Sequence, residues 1–453
     1  MGDPGAGPSV GVLLRGWRER ALLTQEQLAE RAGLNVRTVR RLENSGLWQP
    51  RTTSILLLAK ALELNRAERA MLNSAVRGGP AERDDPAVAG PPPVTVPRQL
   101  PADVAALAGR ERELAIVEGH RSAGTVPVVC VSGMAGAGKT ALAVHAAHRL
   151  APLFPDGQLY VDLHGHATAP VEPGAALARV LRTLGVPAEH IPGFLDDRAA
   201  LYRSVLAGRK VLIVLDDAAD EYQIQPLLPA GRGCRVIVTS RRRLTCPGDA
   251  RNLPLDVLPV AEAVALFARS AGPERVAGAP AGELAEVVRR CGLLPLAIRI
   301  AAARLRARPA WGVPQLLDRL AGDRLAELSA GRHSVAAALD PSYERLPAEQ
   351  RRAYRLLGSF AGTDFDLATA AALLGTTAGR ASRLLDHLLD AHLVQEPVLG
   401  RYRLHDLVRD HAAALFRAAQ SGVPPGRPWV QRAVPLTTVP SCPPVEPGTT
   451  VLV

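Results

Sequence analysis

Residues 127–131, PVVCV, form a short apolar run that gives way at residues 133–140 to GMAGAGKT, and this junction restricts the possible folds more than any other feature of the chain. The spacing is G-x-x-x-x-G-K-[ST], and residues 140–150 continue with helical periodicity, so the loop sits between a buried strand and a helix. Gly133, Gly136 and Gly138 let the backbone curl until its N–H groups point at a phosphate, and the helix N-terminus adds positive potential. Lys139 is placed for the outer phosphates and Thr140 for an Mg2+ ion. A glycine-rich turn without a ligand is the bland alternative, and the strand-to-helix context weighs against it.

Further short apolar runs at 158–163, 211–215 and 235–239 alternate with helical patterns, which predicts an α/β domain built on a parallel sheet. The run VLIV ends in Leu215-Asp216-Asp217, a strand that delivers two carboxylates. Asp216 is expected in the Mg2+ shell. Asp217 is the candidate catalytic residue that orients or deprotonates an attacking water, although paired acids there equally suit a helix cap. The next strand ends in Thr239-Ser240-Arg241, where Arg241 can sense a γ-phosphate, while Arg242 and Arg243 read as solvated.

The 453 residues allow three or four folding units. The predicted boundaries are a helical domain at 1–76, a Pro-rich linker at 77–104, the nucleotide-binding domain at 105–260, a helical domain at 261–334, a fourth domain with one short hairpin at 335–420, and a disordered Pro-rich tail at 421–453. No run approaches the roughly 18 apolar residues of a membrane span, and residues 1–9 lack a signal-peptide layout, so a cytoplasmic protein without membrane contact is expected. The five cysteines, at 130, 234, 246, 291 and 442, show no close pairs, which predicts neither disulfides nor a zinc site. A formal charge of +10 favours acidic partners such as nucleic acid, though arginine-biased codon usage can supply part of it.

Near the N-terminus, Thr24 with Gln27 makes a capping box, Gly33 closes that helix, and Asn35 opens the next. Trp17, Leu28, Val39, Leu42, Leu57 and Leu62 serve as apolar anchors, with Val39 and Leu42 on the inner face of the second helix. Arg37, Thr38, Arg40 and Arg41 then face outward, with Val36 at the helix start and Gln25 placed for a DNA backbone contact. LLTQEQLAERAGLNVRTVRRLENS resembles the Cro/repressor-type (XRE) helix-turn-helix family over about residues 10–75. That resemblance implies binding of double-stranded DNA through Gln25, Val36, Arg37, Thr38, Arg40 and Arg41. A helical bundle for protein contacts is the alternative.

From about residue 107 to 419 the chain resembles the NB-ARC branch of the STAND ATPases, in the form found in actinobacterial transcription regulators. Three further segments carry the likeness. Residues 109–114, GREREL, look like the segment that precedes the P-loop, placing Arg110 near the nucleotide. Residues 292–297, GLLPLA, are similar to the Gly-Leu-Pro-Leu-Ala element whose proline lies against the base, here Pro295, although Leu293 stands where relatives often have a second glycine. Residues 402–408, YRLHDLV, look like the Met-His-Asp motif of the winged-helix domain, whose histidine, here His405, touches the β-phosphate of ADP. The resemblance implies an ATP/ADP switch with Mg2+, at most a slow ATPase, that controls transcription of secondary metabolism or development and self-associates when active. A partner-remodelling ATPase or a scaffold, with the N-terminal helices docking protein, is the competing expectation. The family also carries a C-terminal sensor. The Pro-rich tail in its place implies either an external sensor protein or a lost sensor domain.

Overall fold

The computed structural model describes residues 10–21, 23–44, scattered positions between 57 and 71, and 96–421 apart from 105–106, 121–124, 247–249 and 332. The expected tail and most of the expected linker lie outside the described residues. The chain divides into two compact units, Met1–Pro92 and Pro93–Val453.

In the first unit, α1 (Val10–Arg20), α2 (Gln25–Ala32) and α3 (Val36–Asn44) pack around Leu14, Trp17, Leu28, Ala29, Val39 and Leu42. The Thr24 hydroxyl accepts from the Gln27 N–H at 3.2 Å and the Gln27 side chain accepts from the Thr24 N–H at 2.8 Å, the two bonds of the capping box. Gly33 ends α2 in the left-handed region, φ 63°, which aims α3 across α2. Leu58 is buried, whereas Leu57, the expected anchor, is exposed.

The second unit is built on a five-stranded parallel sheet of β1 (Val128–Ser132), β2 (Gln158–Asp162), β3 (Leu212–Ala218), β4 (Arg235–Ser240) and β5 (Arg251–Pro254), in the order β2-β3-β4-β1-β5. The interior strands β1 and β4 are buried along their whole length and β3 at every residue but Asp217, as continuous apolar runs require when helices cover both faces. On one side lie α6 (Pro173–Thr183) and α7 (Leu195–Leu206); on the other α4 (Glu111–Gly119) and α5 (Lys139–Leu150) join the helices that follow. The expected linker ends by docking on the sheet edge: Gln158 N–H donates to Pro97 O at 2.7 Å and Gln99 N–H to Gln158 O at 3.0 Å.

After the sheet come α8 (Val260–Ala271), α9 (Ala281–Arg290), α10 (Pro295–Ala307) and α11 (Val313–Ala321). The C-terminal segment holds α12 (Val335–Glu344), α13 (Ala348–Gly358), β6 (Asp364–Asp366), α14 (Leu367–Leu374), α15 (Ala378–Asp390), the hairpin β7 (Gln395–Val398) and β8 (Arg401–Arg403), and α16 (Asp406–Gln420). The last three strands form an antiparallel sheet in the order β6-β8-β7. Buried His411 on α16 pairs with Asp340 of α12 at 3.1 Å and meets the Tyr354 hydroxyl of α13 at 2.8 Å, which fixes α16. One apolar core runs from Val117 through Val129, Leu266 and Ile298 to Leu407, so the segments expected as separate domains share a continuous interior.

The cysteine expectation is corrected. Cys130 of β1 and Cys246, in the stretch after β4, form a disulfide across 116 residues, while Cys234 and Cys291 are free and buried. Sequence spacing could not reveal this pair, because parallel crossovers bring distant segments together. Alkylation in denaturant without reductant should leave Cys130 and Cys246 unlabelled, and reduction should expose both. Labelling of both before reduction, read by peptide mass spectrometry, would refute the bond.

Candidate nucleotide and nucleic-acid sites

The loop of residues 133–138 joins β1 to α5 as the motif predicts. Gly136 has φ 82°, and a Cβ there would press against Leu296 Cβ at 2.9 Å, so glycine serves both the curl and the close approach of α10. That approach is fixed by the Leu296 N–H, which donates to Gly136 O at 3.2 Å. Lys139 is buried, with its ammonium donating to the Gly133 and Met134 carbonyls at 2.8 and 2.9 Å. Burial, reinforced by the Arg241 charge, pushes it down to about 7 against the pull of Asp217 and Asp216.

β4 lies between β1 and β3, and its end brings Thr239 beside the β3 carboxylates. Asp216 is buried and accepts from three hydroxyls: Thr140 at 2.9 Å, Thr239 at 2.6 Å and Tyr160 at 2.8 Å. Asp217 takes φ 53° where the β3–β4 register shifts between Leu215 and Ala218, a bulge that re-aims the carboxylate. Its Oδ2 accepts from the His166 N–H at 2.9 Å and from the His166 ring, and Arg241 Nε lies 3.5 Å from its Oδ1. Burial pushes the Asp217 carboxyl up, but the His166 bonds and the Arg241 charge together hold it below its ordinary value. Arg241 also donates to the Ala338 carbonyl of α12 at 2.6 Å, so it joins the phosphate side of the site to the C-terminal segment.

A cavity of about 400 Å3, inside the usual range for small-ligand sites, is lined by Arg110, Gly136, Gly138, Lys139, Thr140, Asp216, Asp217, Arg241 and Pro295. Leu107, Leu258 and Leu266 supply an apolar wall toward one end. The hydroxyl of Thr140 and the carboxylate of Asp216, which lie 2.9 Å apart, are hard oxygen donors that would suit Mg2+. Arg110 is 4% exposed and tied to Glu113 and to the Asp256 and Ala137 carbonyls, so it braces the loop as well as lining the cavity.

His405 is not among the residues that line this cavity. Its Nδ1 accepts from the Leu407 N–H at 3.3 Å, capping α16, and its Nε2–H donates to Gly292 O at 2.8 Å. In this arrangement the ring is engaged by a carbonyl one turn before Pro295. Gly292 and Leu293 both lie in the left-handed region, φ 61° and 55°, and a Cβ on Gly292 would collide with the His405 ring. Burial pushes the His405 imidazole below its ordinary value of 6.5.

In the helix-turn-helix unit, Arg40 is exposed and bridges to Glu26 at 2.6 Å, and Thr38 is half-buried. Side chains of Arg37 and Arg41 lie outside the described residues. Val36 packs against the helical core, because the first turn of α3 is pinned beside the α2 turn. Gln25 donates to Glu43 at 2.7 Å, where it completes a buried ion pair with Arg18. Tyr160, His166 and Arg299 are site residues that the motifs missed: Tyr160 bonds Asp216 from β2, and His166 and Arg299 reach the cavity from the stretch after β2 and from α10.

A glycine-rich loop between a central strand and its helix, with paired acids two strands away in the sheet, defines a P-loop NTPase. Residues 9–72 match the model of a helix-turn-helix domain and residues 112–276 that of the NB-ARC domain. The chain is an NB-ARC protein of the STAND class with an N-terminal helix-turn-helix domain. Over 328 residues it is 48% identical to the regulatory protein AfsR of Streptomyces coelicolor, covering 70% of this chain and 33% of that one. The AfsR of Streptomyces griseus is 48% identical over 327 residues, with the same coverage. A Mycobacterium tuberculosis chain named for an HTH-type transcriptional regulator is 30% identical over 304 residues, covering 63% and 33%. The chain therefore spans about a third of the length of these relatives.

Proposed function

We propose that the chain is a DNA-binding transcriptional regulator switched by exchange of ADP for ATP. The observation that carries this reading is the line of contacts from the P-loop to the C-terminal segment: Gly136 O to the Leu296 N–H, back one turn to Gly292, and across to His405. Residues 261–334 and 335–420 serve as the helical and winged-helix domains, and the His405 contact latches one to the other. Nucleotide acts on this latch through the 292–296 turn, without touching the imidazole. A ligand can move such an equilibrium only by the difference between its contacts in the two states, about 1–3 kcal/mol for common couplings. Hydrolysis is slow on this reading, because Asp217 is held as a weakly basic carboxylate by His166 and Arg241 and makes a poor acceptor for a water proton.

The DNA contact is assigned to α3, with Arg40 and the arginines at 37 and 41, and Mg2+ to Thr140 and Asp216. Release of the latch favours self-association, which sets two recognition helices on DNA, since one short helix reads few base pairs. Mobility shifts on genomic fragments with ADP and then ATP test the proposal. DNA affinity that differs between nucleotides and falls steeply with salt is expected. No binding in either state, or steady turnover above about one per minute stimulated by protein, a rate well beyond slow GTPase-type switches, would sink it in favour of a remodelling ATPase.

His405→Ala leaves the Gly292 carbonyl without its donor, a loss of about 1–3 kcal/mol, so the open fraction should rise about 5- to 150-fold. The latched form holds His405 neutral, and the released ring regains its ordinary value of 6.5. The open form therefore takes up a proton that the latched form does not, and the latch, complete above pH 6.5, weakens as pH falls below it. Hydrogen exchange at residues 292–296 should show this pH dependence in the native protein. The same dependence persisting in the alanine variant would assign it elsewhere.

A further inference from the structure

Arg299 lies four residues after Pro295 on α10 and lines the same cavity as Lys139, Thr140, Asp216 and Arg241. On a helix that spacing sets Arg299 one turn beyond Pro295 on the same face. It is exposed, and among the described residues no carboxylate or carbonyl pairs with its guanidinium. The other cations of the cavity are committed. Arg110 is held by Glu113 and two carbonyls, Arg241 by Asp217 and the Ala338 carbonyl, and Lys139 by the carbonyls of its own loop. An anion that recruits those groups must first displace a partner, whereas one that reaches Arg299 displaces only water.

The position of α10 sets what Arg299 can reach. The first turn of the helix rests on the P-loop, with Leu296 N–H on Gly136 O and Pro295 Cγ 4.0 Å from where a Cβ on Gly138 would stand. Pro295 thus covers the loop that cradles the inner phosphates. An arginine one turn further on lines the same cavity beyond that cover, within reach of a phosphate that extends past the loop.

We propose that Arg299 binds the γ-phosphate of ATP and is the residue by which α10 distinguishes triphosphate from diphosphate. A guanidinium on the terminal oxygens makes charge-assisted, paired hydrogen bonds that ADP cannot offer. The pull acts on the helix whose preceding turn carries the Gly292–His405 contact, so the same bond that recognises ATP loads the latch. The inference rests on the nucleotide-switch reading and names the group that tells its two ligands apart.

The test measures affinities for ATP and ADP, with Mg2+, by calorimetry on the full chain as wild type, Arg299→Ala and Arg299→Lys. Arg299→Ala should weaken ATP about 10- to 100-fold while changing ADP less than about 2-fold, the range of one lost charge-assisted contact. Arg299→Lys should recover part of the ATP loss, since it keeps the charge but not the paired geometry. Because the side chain holds no partner in the protein, the melting temperature of the nucleotide-free variant should match wild type. Equal losses for both nucleotides would make Arg299 a general phosphate or ribose contact and overturn the proposal, as would no loss for either. A wild-type protein that binds neither nucleotide would instead reject the switch reading itself.

Discussion

Lys139→Ala lowers nucleotide affinity by at least about 100-fold, the equivalent of roughly 3 kcal/mol or two charge-assisted hydrogen bonds. The ammonium sits buried, donating among the described residues to the Gly133 and Met134 carbonyls, and burial with the Arg241 charge lowers it to about 7 against Asp217 and Asp216. Phosphate oxygens raise it again, so binding takes up a proton. The sign follows from that order. Affinity is complete where the free protein is already protonated, below about pH 7, and falls as pH rises through 7 toward the higher value of the complex, about tenfold per pH unit. Calorimetry at pH 8 in buffers of different ionisation enthalpy should find up to one proton taken up by wild type. A wild-type protein that binds tightly without proton uptake would show that Lys139 is already fully charged in the empty site.

Glu43→Ala is the second large effect, and it falls on the helix-turn-helix unit. The Glu43 side chain is 1% exposed, receives Arg18 at 2.7 and 3.1 Å, and receives Gln25 at 2.7 Å, so one carboxylate ties α3 to both preceding helices. Removing it leaves the Arg18 guanidinium, 11% exposed, with only the Leu23 carbonyl and the more distant, exposed Glu19 at 3.7 Å as partners among the described residues, a loss of about 3 kcal/mol. Amides of residues 36–44 should then exchange hundreds of times faster, with exchange in the sheet unchanged. Replacing Arg18 and Glu43 together by apolar residues of similar volume should recover most of the loss, because no buried charge is then stranded. Normal protection of α3 in the single variant would mean that the pair contributes nothing net.

Much of the nucleotide site was legible because its residues are local to motifs. The P-loop, the acids ending β3 and the arginine ending β4 each follow an apolar run, and parallel strands deliver all of them to one sheet edge. β5 was not legible: RNLP is short, largely exposed and ends in proline, so it carries no apolar signature, and its pairing with β1 supplies the strand character. Nor was His166, whose bond to Asp217 joins residues 51 apart in sequence. In α3 the helical pattern identified Val39 and Leu42 as inward-facing, but Val36 also turned inward, because the α2–α3 turn rotates the first residue of the helix onto the core. For Gln25 the backbone position was readable and the partner was not, since nothing local announces a buried glutamate 18 residues away.

In the proposed switch, Leu293 supplies a direction. A left-handed leucine costs about 1–2 kcal/mol that glycine would not, and this one is held there between the Val288 and Leu258 backbones while His405 is engaged. The closed arrangement is therefore preloaded: part of its stability is spent flexing a turn that would relax on release. A relative with glycine at this position carries no such spring. On that proposal this chain is set nearer its tipping point, and a weaker push is enough to trip it.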